Sequence, residues 1–462
     1  MIILSNQVNN APNSRHAIDV ARMLHPYTNA RTHEETGPLI ITSGNGVEVF
    51  DDQGNAYIEA MAGLWSVAVG FGEKRLVDAA TRQMSALPYY HTFSHKSNEP
   101  AVDLADRLVA MTGRNMEKVF FTNSGSEAND TVVKLLWYRS NALGQPERKK
   151  IISRKRGYHG ITIAAGSMTG IPLNHGGFDI PLPGFHHLTC PHFYREGLDG
   201  ETEAEFTERL AKELEELIER EGPDTIAGFI GEPLMSAGGV VPPPAGYWKR
   251  MQEICHRHGI VVIADEVITG FGRLGARFGS DYYDIEPDIM VMSKQLTSSY
   301  QPLAAIVMTD EIYQPVADQS ASIGAFGHGF TASGHPVATA VALENLNIIE
   351  ERDLVGNAAN LAPILKDKLR EFSDHPLVGE VRGDGFIAAV ELVANKATRT
   401  SFDPVGVIGR KLAAHAHTEG LIIRAIGDTI AFCPPLIATE EDVSKIVSRF
   451  GAALDATARC LR

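Results

Sequence analysis

The sequence predicts an α/β protein. A large domain with a mostly parallel sheet covered by helices is joined by a smaller α+β domain, built from the C-terminus and the N-terminal segment. Three observations predict this. Strand and helix patterns alternate through the middle of the chain, as they do when parallel strands are linked by crossover helices. The strand patterns there are continuous apolar runs, so both faces of the sheet are covered. After about residue 335 the texture changes to a helix, two strand–Gly turn–strand units and a terminal helix. The expected divisions are 1–70 for the N-terminal segment that joins the small domain, 71–334 for the large domain and 335–462 for the C-terminal small domain.

The elements follow in order. "GVEVFDDQGNAYIEA" (46–60) holds short strands. "KVFFTN" (118–123) is a strand, and "SGSEANDTVVKLLWYRS" after it has a helical pattern. "KKIISR" (149–154) is a strand that ends near Tyr158-His159-Gly160. Residues 202–221 put Phe206, Leu210, Leu214 and Leu217 on one helical face, and Thr202 with Glu205 makes a capping box. "CHRHG" (255–259) reads as a helix end, with basic residues in the last turn and Gly259 as its cap. "TIAGFIGEP" (225–233), "IVVIADE" (260–266), "DIMVMSK" (288–294) and "LAAIVMT" (303–309) are further strands of the parallel sheet. Pro336 opens the helix "VATAVALENLNIIEERD" at a position that suits proline. "LVGEVRGDGFIAAVELV" and "LIIRAIGDTIAFCPPL" are hairpins, the second bending at Gly427-Asp428. The last helix starts at Thr439, with Glu441 and Asp442 in its first turn.

Bulk properties narrow the function. The chain has 462 residues and a formal net charge of −15, which argues against nucleic-acid partners and anionic membranes. No apolar run is long enough to span a bilayer. "MIILSNQVNN" lacks the basic start of a signal peptide. Cys190, Cys255, Cys433 and Cys460 are scattered, which fits a reducing, cytoplasmic setting. "HHLTCPHF" gathers His186, His187, Cys190 and His192 but lacks a second ligand pair at zinc spacing. It reads as a polar surface loop, and no metal is expected. Gly270-Phe-Gly272-Arg-Leu-Gly275 fits G-x-G-x-x-G, yet no helical pattern follows it. A dinucleotide turn needs that helix.

In an open α/β sheet, ligands bind beyond the carboxyl ends of the strands. Those ends carry Asn123-Ser124-Gly125-Ser126, Tyr158-His159, Glu232, Asp265 and Lys294. "SGSEAND" opens a helix and offers N–H groups and hydroxyls to a phosphate. Tyr158 is an aromatic plate. A buried Asp265 stays ionised only if it faces a cation. A partly desolvated Lys294 is a nucleophile for carbonyls. A ligand with a phosphate, a flat ring, a cationic ring nitrogen and an aldehyde satisfies them all: pyridoxal 5′-phosphate.

"TNSGSEANDTVVK", "YHG", "GEPLMSAGG", "ADEVITGFGRLG", "SKQLTSSYQPLAA" and "FTASGHP" resemble, in this order, the class-III aminotransferases of the fold-type-I pyridoxal enzymes. The resemblance runs from about residue 35 to the C-terminus. "MAGLWSVAVGFG", "LPYYHTFS" and "RAIGDTIAFCPPL" are similar to the ω-amino acid:pyruvate and amine:pyruvate branch. The resemblance implies that Lys294 carries the cofactor as a Schiff base and shuttles the proton, and that Asp265 pairs with the ring nitrogen. It implies that Gly125 and Ser126 hold the phosphate, that Tyr158 and Val267 cover the ring faces with His159 beside them, and that Glu232 supports the network. Thr331 would complete the phosphate site from a neighbouring subunit in a homodimer or dimer of dimers. Trp65, Phe93, Tyr158 and Arg424 would shape the substrate pocket. Arg424 would bind carboxylates, while Ala431 stands where glutamate-using relatives often carry arginine. Amino transfer from an amine or ω-amino acid to a keto acid, most readily pyruvate, is the implied activity, with ping-pong kinetics. A dialkylglycine-decarboxylase or aminomutase type shares the cofactor residues; carbon dioxide release or an intramolecular product would mark it. Gln295 and Ser299 depart from glycines common at their positions, which bears on the loop after the lysine.

Overall fold

A computed structural model describes residues 13–113 and 115–461. "MIILSNQVNN", where a leader was looked for, lies outside the described residues. Among the described residues the strands are β1 (Ile41–Asn45), β2 (Glu48–Asp51), β3 (Ala56–Glu59), β4 (Met116–Thr122), β5 (Lys150–Arg154), β6 (Phe185–Leu188), β7 (Ile226–Gly231), β8 (Val261–Asp265), β9 (Ile289–Met292), β10 (Ala304–Thr309), β11 (Val378–Gly383), β12 (Ala388–Leu392), β13 (Leu421–Ile422), β14 (Arg424–Ile426) and β15 (Thr429–Phe432). They form three sheets.

The large sheet has seven strands in the order β4-β10-β9-β8-β7-β5-β6. From β9 to β6 all neighbours are parallel. The expectation of a parallel partner at 303–309 is corrected: β10 runs antiparallel to both β9 and β4. The link from β9 to β10 holds only a short 3-10 turn, Lys294–Leu296, and a parallel crossover needs a dozen residues or more. Apolar periodicity is blind to strand direction, but link length is not. A second correction concerns "HHLTCPHF". Its start is the edge strand β6, because Phe185 and Leu188 turn into the core at 8% and 4% exposure while His186 and His187 lie between. Cys190 and His192 are buried as well.

β1, β2 and β3 form an antiparallel meander, and β13 adds to β3 in parallel, Leu421 opposite Ile58. This pairing ties the N-terminal strands to the C-terminal part of the chain. The third sheet, β11-β12-β15-β14, is antiparallel throughout. The helix Pro336–Glu351 packs against Lys74–Ala86 and Glu99–Thr112. Its buried Asn345 holds the loop after β9: Nδ2 donates to the Gln295 carbonyl at 2.8 Å, and Oδ1 accepts from Ser298 at 2.7 Å. The capping box at Thr202 and Glu205 is present on the helix Glu203–Glu221.

Candidate active site

Strand direction sets the site. β4, β5, β7, β8 and β9 point the same way, so their carboxyl ends share one edge. A cavity of about 360 Å³ opens there, lined by Ser124, Gly125, Tyr158, Glu232, Asp265 and Lys294 among others. All five strand ends picked from the sequence therefore meet in one space.

Lys294 follows β9 with φ +45, a left-handed conformation that an L-residue holds only when its surroundings impose it. Gln295 explains much of that imposition. Its buried Nε2 donates to the Ile268 and Gly270 carbonyls at 2.8 and 3.0 Å. The Lys294 amine has no hydrogen-bond or ion-pair partner among the described residues. Burial pulls it below the ordinary lysine value, against the opposing charges of Asp265 and Glu232. More of it is thus the unprotonated nucleophile near neutral pH.

Asp265 ends β8 at 3% exposure. Its Oδ2 accepts from His159 Nδ1 at 2.8 Å and from Asn129 Nδ2 at 3.0 Å, and its Oδ1 accepts the Val267 N–H at 3.2 Å. These donors hold the carboxylate in one orientation. His159 Nε2 is buried without a hydrogen-bond partner, so Asp265 anchors the ring through Nδ1 alone. Glu266, the next residue, has a different task. It is fully buried and accepts from Thr269, Gly279 and Ser280, closing the turns that carry Gly270–Gly275. Arg273 in that stretch donates to the Phe386 and Pro434 carbonyls at 3.0 and 2.7 Å. The hexad is a packed turn that joins two sheets, followed only by the four-residue helix Gly279–Tyr282.

The helix Gly125–Ala142 begins at the cavity, with Ser124 as N-cap accepting from Glu127 N–H at 3.2 Å. A Cβ at Gly125 would come within 3.3 Å of Val267, and one at Gly160 within 2.6 Å of the Ser126 hydroxyl. Both glycines keep the backbone open where a phosphate would lie. Glu232 is buried and accepts from the Tyr158 and Ser236 N–H groups at 3.0 and 2.9 Å; burial raises its pKa. Burial also raises the Tyr158 phenol, and a hydrogen bond with Tyr27 adds to that.

The remaining predicted residues lie at different removes. Trp65, at 2% exposure, packs with Met61, Ile268, Ala431 and Cys433; of these, Ile268 lines the cavity. Arg424 is half-buried beside Tyr158 and Tyr27, burial lowers its pKa, and it has no carboxylate partner among the described residues. Its register partner across β14–β15 is Ala431. Phe93 and Thr331 are exposed and do not line this chain's own cavity; Tyr89 donates to the Thr331 carbonyl at 2.8 Å, and Gly329 lies against the Phe93 ring. Asn129 and Tyr27 were not picked from the sequence. Asn129 sits one helical turn past Gly125, on the face of the helix that carries the phosphate loop, which is a usable signal; Tyr27 has none.

The donor set fits pyridoxal 5′-phosphate: an unpartnered, desolvated amine, a fixed carboxylate, an uncrowded helix start and an aromatic plate share one cavity. The family model "Aminotransferase class-III" matches residues 28–454. The chain is 48% identical over 436 residues to gamma aminobutyrate transaminase 1, mitochondrial, of Solanum lycopersicum, covering 94% of this chain and 85% of that one. It is 59% identical to the solved omega transaminase from Pseudomonas jessenii in complex with PMP, with a TM-score of 0.96 and coverage of 96% and 98%. A solved structure described as a transaminase with L-ala is 59% identical, with a TM-score of 0.91 and coverage of 92% and 100%. With the Lys294–Asp265 site and this likeness over nearly its whole length, the chain belongs to the class-III aminotransferases, pyridoxal-phosphate enzymes that move an amino group between a small amine and a keto acid.

Proposed function

We propose that the chain transfers an amino group from an amine or ω-amino acid to pyruvate by a ping-pong mechanism. The reading of the acceptor rests on Arg424, which has no carboxylate partner among the described residues and faces Ala431 across the hairpin. A guanidinium left unpaired in a half-buried site is matched by a substrate carboxylate, to which it offers two parallel hydrogen bonds. Ala431 adds no second cation next to it, so a dicarboxylate acceptor lacks a second partner. The gamma aminobutyrate transaminases among the relatives support an ω-amino acid donor, and the L-ala complex of a similar enzyme supports the pyruvate–alanine pair.

Lys294 would hold the cofactor through its amine and Asp265 through its ring nitrogen. Gly125, Ser126 and Thr331 of a second copy would bind its phosphate, and Tyr158 and Val267 would bracket the ring. When bound, the cofactor supplies an electron sink for the carbon that bears the substrate's amine. Asp265, fixed by His159 and Asn129, keeps a negative charge where that sink needs it. The Lys294 Nζ, with its lowered proton affinity, takes the proton from the substrate carbon and returns it on the other side of the reaction. The donor's carbonyl product leaves before the keto acid binds.

Paired half-reactions test this reading, one with alanine and one with glutamate, followed by the cofactor's absorbance. Alanine should convert the enzyme much faster. Arg424→Ala should weaken alanine and ω-amino acids by about 2–5 kcal/mol while sparing amines without a carboxylate. Equal rates with glutamate, or equal damage to both donor types, refutes pyruvate as the acceptor.

A further inference from the structure

Asp19, His25 and His33 stand apart from the active-site lysine. Asp19 lies on the helix Arg15–Arg22, His33 on the helix Ala30–Thr36, and His25 on the turn between them. His25 Nε2 and His33 Nε2 both point at one atom, Asp19 Oδ1, at 2.8 and 2.9 Å. The two rings are 4.2 Å apart, so both imidazoles converge from one side. Side-chain exposures are 15% for Asp19, 26% for His25 and 10% for His33, which leaves solvent access to the point of convergence. Asp19 has no lysine or arginine partner among the described residues.

We propose that these three residues form a binding site for a divalent transition metal of the zinc class. Two imidazole nitrogens and one carboxylate oxygen are a common ligand set for such an ion, with water free to take the fourth position. Bond lengths of roughly 2.0–2.2 Å to a tetrahedral ion set its ligand atoms about 3.3 Å apart. The two N···O spacings of 2.8 and 2.9 Å need to widen by only about half an ångström. The other cluster of this kind, His192 with Glu380 and Glu391, is unsuited: Arg382 and Arg195 already occupy its carboxylates. The spacing Asp19-x5-His25-x7-His33 matches no common zinc motif, so the site is made by the fold of the segment.

The position has a consequence. Between His25 and His33 lies Tyr27, whose hydroxyl accepts a hydrogen bond from Asn174 and which helps burial to raise the Tyr158 phenol at the active site. An ion on Asp19, His25 and His33 would cross-link both ends of the segment that holds Tyr27 in place.

Tag-free protein, stripped with chelator and desalted, is titrated with zinc by calorimetry and with cobalt by visible absorbance. One ion per chain should bind, and cobalt should give the intense bands of a four-coordinate site. His25→Gln and His33→Gln should each weaken binding at least about tenfold, and amide exchange over 15–36 should slow when zinc is added to the native chain only. Asp19→Asn is the second route should a histidine variant misfold, with circular dichroism reporting the fold. Failure of the native chain to bind zinc at about 100 μM overturns the site. So does equal binding by native and substituted chains.

Discussion

Burial pushes the Glu59 carboxyl from 4.5 up to about 8, against the N–H groups of Gly63 and Met61. Its Oε1 is buried with no hydrogen-bond partner. Between those two values the folded chain keeps a proton that the unfolded chain has lost. The stabilising contribution is therefore fully present below about pH 4.5 and is lost as the pH rises through 8. Glu59→Gln keeps the acceptor for Gly63 and removes the titration. Its melting temperature should exceed that of the native chain at pH 9, by on the order of 1–3 kcal/mol of stability, and match it near pH 5. A parallel shift at both pH values would contradict the assignment. Ser299 supplies a second prediction. It sits exposed at φ +57 where a glycine would be unstrained, whereas Ser298, also left-handed, uses its hydroxyl to bond Ala68, Val69 and Asn345. Ser299→Gly should raise stability by about 0.5–1 kcal/mol in denaturant unfolding; a lower midpoint would mean the loop needs that side chain.

At the scale of elements, Arg382 on β11 joins the third sheet to the large one. Its guanidinium binds Glu380 at 2.6 Å and Glu391 more closely, and donates to the Gly239 and Val240 carbonyls at 2.7 and 2.9 Å. His192, just past β6, donates from Nε2 to the Glu380 carboxylate at 2.9 Å, and Arg195 reaches Glu391. Burial acts to raise Glu391, but Arg382, His192 and Arg195 outweigh it and hold the carboxyl down to about 2. Its contribution is present above about pH 4.5 and lost as the pH falls toward 2. Arg382→Met leaves two carboxylates without their main cation and should destabilise the chain by about 3–5 kcal/mol. Adding Glu391→Leu should recover part of that loss, because the two changes share one interaction. Strictly additive losses in urea titrations would rule the network out.

At the scale of the whole molecule, Leu87, Tyr89, Tyr90 and Phe93 are 37–45% exposed along one stretch, and the exposed Thr331 is bonded to Tyr89. A row of exposed aromatics is a common mark of a protein interface. Phe93 and Thr331 miss this chain's own cavity, so a second copy would have to bring them to it. Active enzyme should sediment as a dimer or larger, and Tyr90→Asp should shift it toward monomer with loss of activity. An active monomer at assay concentration would disprove the shared site.

The chemistry of the site was legible in the sequence because the working residues stand at the strand ends or within a few positions past them. Apolar runs of four to seven residues terminate at Thr122, Arg154, Gly231, Asp265 and Met292, and in a parallel sheet such ends must share an edge. From that rule Ser126, Tyr158, Glu232, Asp265 and Lys294 follow without coordinates. Capping was equally local: Thr202 with Glu205, and Thr439 with Asp442, needed only their own side chains. Tertiary structure decided whatever depends on contacts between distant residues. The direction of β10 was set by the short link at Lys294–Leu296, and the depth of Trp65 by packing against Ala431 and Cys433. Asn129 reaches Asp265 across 136 positions, and the His192–Glu380 bond spans 188. The Asp19–His25–His33 convergence arises from two helices folding back on one turn. Local propensity and period are written residue by residue, whereas closure of these long loops is chosen by the core that forms around them.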